Sequence, residues 1–203
     1  MKKLLVVLGL LVLVPGLVFA QAAPAPSYFV DYFANNNPPF TADQIVRVIN
    51  AGTLGSPLTV PVGDICANFY VHNADQEMVA CCASSLTPNE LSSAYVGKQL
   101  TSNPLNTGAL PSSGVIKVTL TPNPTGHTCD PTAPSGTPDA DLGEVFATHL
   151  QVTNNATYVT ETELLSSALS TPESVYLPET CFFVQLLGSG TGVCSITTSS
   201  GQK

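Results

Sequence analysis

Two carboxylates in the C-terminal third of the chain have the spacing of a catalytic acid–base pair. Glu161 and Glu163 occupy alternate positions of a segment with a β-strand pattern, so both side chains face the same side of the predicted strand. A glycoside hydrolase holds its two carboxyl groups about 5–9.5 Å apart, and neighbouring same-face strand positions fall within that range. Alternating charges more commonly form the solvated face of a sheet, so we rank a secreted hydrolase below a non-enzymatic function and predict no catalytic residue.

Histidine and cysteine residues in the middle of the chain raise a second chemistry, that of a metal centre. His72 lies close in sequence to Cys81 and Cys82, and His127 with Cys129 would add further ligands. The paired C-x-x-C and His spacing of zinc sites is absent, and the cysteines of an exported chain oxidise to disulfides. We therefore expect neither a metal site nor a bound cofactor.

An acidic segment offers hard oxygen ligands of the kind that Ca²⁺ prefers. Asp139, Asp141 and Glu144 lie close together in a predicted loop. Several ligand positions of a calcium loop are missing, so we interpret this segment as an ordinary solvated loop.

The N-terminal residues predict export. Lys2 and Lys3 precede an apolar run from Leu4 to Phe19, and small residues follow at which a signal peptidase cuts. The run is short for a permanent membrane span. We predict a signal peptide at 1–20 and a secreted, extracellular or periplasmic protein with no membrane span in the mature chain.

Six cysteines, an even number in an exported chain, predict a framework of three disulfides. The sequence does not choose among the many pairings. One local expectation is a bond between Cys181 and Cys194, because the flexible segment from Gly188 to Gly192 separates them. The predicted disulfide residues are Cys66, Cys81, Cys82, Cys129, Cys181 and Cys194.

The charge balance excludes a nucleic-acid partner. The formal net charge is −8, and only four basic residues follow the predicted leader. Binding to a phosphate backbone requires a basic surface. Scarce charges and abundant Thr, Ser, Asn, Pro and Gly favour strands and turns over a helical bundle.

Alternating apolar residues predict a central hairpin. Ile65 to His72 forms one arm, Asn73 to Gln76 supplies the turn, and Glu77 to Ala80 returns. Cys81 and Cys82 end the return strand with side chains on opposite faces, so they can bond to neighbours on both sides of the sheet. Further strands are predicted at 28–34, 44–50, 114–120, 144–152, 156–163 and, as an edge, 195–198.

Two sequences have the residues of a helix start. Thr87-Pro88-Asn89-Glu90 predicts a short helix, and Ser170-Thr171-Pro172-Glu173 predicts another near the C-terminus. The second helix should stop at Gly188. Pro178 lies inside it, so we expect the helix either to restart there or to form in only one half.

These elements predict a mainly β fold, an antiparallel β-sandwich stapled by disulfides, with one or two short helices and an Ig-like topology as one option. The predicted organisation is a signal peptide at 1–20, a flexible extension at 21–43 and a single sandwich domain at 44–203. The extension contains a candidate first strand at 27–34. That strand either pairs with its own sheet or completes the edge of a neighbouring molecule by strand addition.

The segment ICANFYV, followed by an acidic turn, QEMVACC and LTPNEL, resembles a group of uncharacterised exported bacterial proteins. The similarity runs from about Val46 to the last cysteine. It implies export and a set of cysteines, and it implies no activity.

Together these observations predict a secreted, non-enzymatic structural or adhesion-type protein of the cell surface, with self-assembly by strand addition as an open option. A carbohydrate-binding module is the alternative, with an extracellular polysaccharide as partner. Its sugars would stack on exposed aromatic rings, for which the candidates are Tyr28, Tyr32 and Tyr95.

Overall fold

The computed structural model describes residues 25–38, 42–105, 110–153 and 156–196, so the predicted signal peptide lies outside the described residues. The regular elements of the described part are nine strands and one α-helix, with short helical turns at Pro57–Thr59, Val96–Leu100 and Ala140–Leu142. The elements are β1 Ser27–Phe33, β2 Ile45–Asn50, β3 Ile65–Asn73, β4 Met78–Leu86, β5 Leu91–Tyr95, β6 Gly114–Pro122, β7 Gly143–Val152, β8 Thr157–Glu163, β9 Ser166–Ala168 and α1 Thr171–Gly188.

The strands form two antiparallel sheets. One has five strands in the order β4-β3-β6-β1-β9, and the other has four in the order β5-β2-β7-β8. The predicted mainly β fold with antiparallel pairing is confirmed. The strand order differs from that of an Ig constant domain, in which the first two strands are neighbours in one sheet, because here β1 and β2 lie in opposite sheets.

The main core lies between the two sheets and follows the predicted alternation. Val46 and Val48 of β2 point into it, as do Ile116, Val118 and Leu120 of β6. Each of these side chains is fully buried. The pattern of 114–120 predicts Ile116, Val118 and Leu120 on the inner face, and this is confirmed. In β2 the pattern separated two faces without indicating which one is inner.

A third layer covers the outer face of the five-stranded sheet. The alternate residues of β3, among them Asn68, Tyr70 and His72, are buried there as completely as the core-facing set. Tyr70 donates its hydroxyl hydrogen to the carbonyl of Pro131 in the loop after β6, at 2.9 Å. Helix α1 packs beside it through Leu177 and other buried residues. Both faces of β3 are therefore buried, and its alternation does not separate a buried face from a solvent-exposed one.

Three disulfides connect these layers, and all six cysteines take part. Neighbouring Cys81 and Cys82 bond in opposite directions, as predicted, to helix α1 and to the C-terminal segment. The expected bond between Cys181 and Cys194 is wrong, because the helix lies on the outer face of β4 whereas Cys194 reaches the inner core. The pairs are Cys66–Cys129, Cys81–Cys181 and Cys82–Cys194.

The region after the central hairpin departs from prediction. Strand β4 continues past its two cysteines to Leu86, and Thr87 to Glu90 form a turn rather than a helix start. The Glu90 carboxylate does accept bonds from the backbone and hydroxyl of Thr87, at 2.9 and 3.0 Å, as in a capping box. Asn89 then takes a φ of 67°, and the chain enters β5. These local bonds are common to turns and helix starts, so they did not separate the two.

Helix α1 is continuous through Pro178, contrary to the expectation of a break. Its start is as predicted: the Ser170 hydroxyl accepts a bond from the Glu173 N–H at 3.3 Å. Leu177 and Cys181 bury one side of the helix, and the disulfide to Cys81 holds it on the sheet. Packing outweighs the cost of the proline.

Strand β1 belongs to the sandwich. It pairs with β6 on one side and with β9 on the other, so the first of the two alternatives for this strand describes the structure. The sandwich therefore begins at Ser27 and not at residue 44. Ser195 and Ile196 form no strand, and the rest of the predicted edge strand lies outside the described residues. Over the described ranges, no helix combines the length and the hydrophobicity that crossing a bilayer requires.

Candidate ligand-binding cleft

A cleft of about 710 Å³ opens at one end of the five-stranded sheet. The end of β1, the β3–β4 turn, the start of β6 and the N-terminal half of α1 surround it. A volume of this size suits a small organic ligand. The side chains that determine its chemistry are Tyr32, His72, Gln76, Lys117, Glu173 and Tyr176.

His72 is the buried polar group of the cleft. The residue is only 6% exposed, and neither ring nitrogen has a partner with hydrogen-bond geometry among the described residues. Buried polar atoms are nearly always bonded, so an unpartnered imidazole in a cleft wall is an exception that calls for an explanation. A neutral imidazole offers one donor and one acceptor.

The environment of His72 keeps its ring neutral. The pKa of His72 is lowered to about 4, first by burial and second by the neighbouring Lys117 ammonium, whereas Glu173 and the backbone of Tyr70 oppose the shift. Lys117 and Glu173 form an ion pair across the cleft wall, from β6 to the first turn of α1. Because that pair is internally neutralised, the cleft presents no net charge to a ligand.

A chain of three side chains holds an aromatic ring at the cleft. Buried Asp31 bonds to Nε2 of His149 at 2.7 Å, and the His149 ring stacks on Tyr32 with centroids 4.6 Å apart and planes 17° from parallel. Burial raises the pKa of the Asp31 carboxyl, and its bond to His149 offsets part of that rise. One face of the Tyr32 ring is therefore occupied, and the residue remains 57% exposed.

Tyr176 supplies the second aromatic ring of the cleft, from helix α1, and is 44% exposed.

Strand β6 lies close to β3 and β1 at the floor of the cleft. A Cβ at Gly114 would lie 2.0 Å from the carbonyl oxygen of His72 and 2.7 Å from the ring of Phe33, so only glycine fits there.

The two carboxylates of the hydrolase hypothesis lie elsewhere, on fully exposed β8. Glu161 pairs with Arg47 at 2.6 Å. Glu163 borders a small cavity of about 200 Å³ that Asp141 and Glu144 also line. The structure thus separates this pair from the main cleft.

The cysteines considered for metal binding, and Asp139 of the acidic segment, have other partners. Cys81, Cys82 and Cys129 are in disulfides. Asp139 accepts a bond from the Asp141 N–H at 2.9 Å and thereby caps a short helical turn. In the part of the chain that the structure describes, no group of three or more His, Cys, Asp or Glu residues is arranged to hold a metal ion.

Of the three tyrosines predicted to stack sugars, only Tyr32 lines the cleft. Tyr28 is half-buried against the cluster under α1, and Tyr95 lies beneath the ammonium of Lys98 at 6.0 Å. Sequence reasoning singled out His72 for a different role and missed Tyr176. The available signal for His72 was a titratable side chain in a strand that the sequence predicts to be part of the central hairpin.

No family model matches this chain, and no curated protein matches it. One solved structure similar to it is the crystal structure of Thermotoga maritima 1070, with a TM-score of 0.40 and 10% identity over 71% of this chain and 96% of that chain. A likeness at this level carries no argument about function. The resemblance to exported bacterial proteins stays a prediction.

Proposed function

We propose that this protein is an exported, non-catalytic, adhesion-type protein of the cell surface that binds a neutral sugar unit of a polysaccharide in the cleft. The observation that carries the proposal is the buried, unpartnered ring of His72 beside two exposed tyrosines. A sugar presents C–H groups to an aromatic face and hydroxyls to a donor and an acceptor, so Tyr32 and His72 together match it.

A neutral ligand fits the charges of the site and of the whole chain. Lys117 is already paired with Glu173, and the net charge of −8 repels anions. The three disulfides are consistent with an oxidising, extracytoplasmic environment. The hydrolase alternative gains no support, because Glu161 is paired with Arg47 outside the cleft.

The test uses the oxidised chain from residue 21 onward, on a microarray of neutral and acidic glycans followed by calorimetry with the glycans that bind. We expect binding to neutral glycans, and we expect Tyr32→Ala to weaken it about tenfold, since an aromatic contact contributes about 0.5–1.5 kcal/mol beyond its buried area. His72→Ala should weaken it as well, through lost hydrogen bonds.

Tyr158→Ala is the matched control, because Tyr158 has the same 57% exposure as Tyr32 but lies on β8. Its affinity should equal that of the wild type. A silent array, or affinity that neither cleft variant changes, would refute the proposal. Glycan cleavage abolished by Glu161→Gln would support the hydrolase instead.

A further inference from the structure

Helix α1 carries a cluster of exposed apolar side chains that the sugar-binding proposal does not use. We call it the helix patch, and its members are between 49% and 71% exposed. They lie together because positions separated by three, four or seven residues share one side of a helix. The helix patch consists of Val175, Phe182, Phe183, Leu186 and Leu187.

The helix patch cannot turn inward. Leu177, Cys181 and Val184 bury the opposite side of α1 against the sheet. The disulfide from Cys181 to Cys81 fixes the rotation of the helix about its axis. The apolar side chains therefore face outward in the folded molecule.

The area of the helix patch is that of an interface. A half-exposed aromatic side chain presents about 100 Å², and the five members together present about 500 Å², near the upper limit for an apolar patch on a typical monomer. Two such patches in contact would bury about 1,000 Å², and flanking residues add to it. Specific complexes bury about 1,200–2,000 Å², so a dimer in the micromolar range is within reach.

The charges around the helix patch argue against a membrane as its cover. Helices that lie on a bilayer are typically rich in Lys or Arg beside their apolar face, because these residues are attracted to anionic lipids. Helix α1 has no basic residue, and its charged residues are Glu173 and Glu179. Apart from the predicted leader, the segments outside the described residues are 21–24, 39–41, 106–109, 154–155 and 197–203, and their one large apolar residue is Phe40.

We infer that the helix patch is the interface of a homodimer, in which α1 of one copy packs on α1 of a second copy about a two-fold axis. A two-fold contact requires one self-complementary surface on each copy, and an apolar patch meets that requirement. The inference goes beyond the proposed function, since it concerns residues outside the cleft.

The experiment is sedimentation equilibrium of the oxidised chain over a range of concentrations, for the wild type, Leu186→Glu and Leu187→Glu. We expect a concentration-dependent dimer for the wild type and a monomer for both variants, because each places two like charges at the symmetric contact. Both leucines are more than half exposed, so circular dichroism should show unchanged folding. Since both copies are acidic, added salt should tighten the dimer.

Leu58→Ser is the matched control, because Leu58 is 96% exposed in the short helical turn between β2 and β3, outside the helix patch, and its loss should leave the dimer intact. A wild-type chain that stays monomeric at its solubility limit would overturn the inference. Oligomers that grow past the dimer and are lost in Leu58→Ser would instead show head-to-tail assembly. Binding of monomers to phosphatidylcholine vesicles that Leu186→Glu abolishes would show a lipid surface as the occupant.

Discussion

At the residue scale, the chemistry of the cleft depends on His72. The protonation state of His72 depends in turn on its burial. A histidine in water changes its charge near neutral pH, whereas this ring is surrounded by packed side chains next to Lys117. The neutral ring has one donor and one acceptor, which in the proposed function meet the hydroxyls of a sugar. As a consequence, the ring of His72 resists protonation while the protein is folded.

We expect this resistance to make the protein less stable in mild acid. The pKa of His72 is about 4 in the folded chain against 6.5 unfolded, so the unfolded state takes up the proton first as pH falls. The stabilising contribution is complete above pH 6.5 and is lost as pH falls towards 4. From about pH 7 to about pH 5, the wild type should lose about 2 kcal/mol of unfolding free energy that His72→Leu does not lose.

Urea denaturation at the two pH values measures this difference. His127→Leu is the control, because His127 is exposed and its variant should follow the wild type. If His72→Leu shows the same pH dependence as the wild type, then His72 is not held neutral by its surroundings. The buried carboxyls of Asp31 and Asp64, whose pKa values burial raises, are common to all three proteins and cancel in the comparison.

At the element scale, helix α1 links the two proposals, because its N-terminal half lines the cleft and the helix patch extends from Val175 into its C-terminal half. The helix continues through Pro178 although that residue has no N–H to donate to the carbonyl of Ser174. Buried contacts on the sheet compensate for the missing bond.

We expect Pro178→Ala to stabilise the protein by about 1 kcal/mol or more, since it restores a helical hydrogen bond and removes a steric conflict. Pro172→Ala is the matched control, because Pro172 lies in the first turn, where proline is tolerated. Both substitutions increase the conformational entropy of the unfolded chain by a similar amount. The difference between the unfolding free energies of the two variants therefore reports the helical hydrogen bond and the steric conflict at Pro178. Equal unfolding free energies for the two variants would mean that Pro178 costs the folded helix nothing.

At the scale of the whole molecule, the disulfides at Cys81 and Cys82 join three layers. One bond leads outward to α1 and the other inward to the C-terminal segment. The bond from Cys66 to Cys129 closes the long loop over the outer face. The sheet thus becomes the common support of the helix and of the loop.

The double variant Cys81→Ala with Cys181→Ala should lose about 2–5 kcal/mol of stability, because a long closed loop is released in the unfolded chain. Hydrogen exchange should rise in α1 while β3 and β6 stay protected, since those strands pair in the interior of the sheet. The matched double variant Cys66→Ala with Cys129→Ala should instead raise exchange in 123–138. Unchanged protection of α1 in the first variant would show that packing alone holds the helix.

The sequence by itself determined the local elements, because their causes are local. Alternation of Ile116, Val118 and Leu120 with Lys117 and Thr119 marked an inner face. Ser170 with Glu173 marked a helix start. The even cysteine count indicated that all would be bonded. These patterns depend on backbone geometry and solvent exposure, which a short segment carries with it.

Only the tertiary structure decided which elements pack on each face of the sheets. The candidate site depends on this packing. The second face of β3 is buried because α1 and the loop after β6 cover it, and His72 lies in this covered face without a partner for its ring nitrogens. The disulfide partners followed from the same layering, which put Cys181 outside the sheet and Cys194 inside it. Contacts between residues far apart in sequence depend on how whole elements pack, and no short segment encodes them.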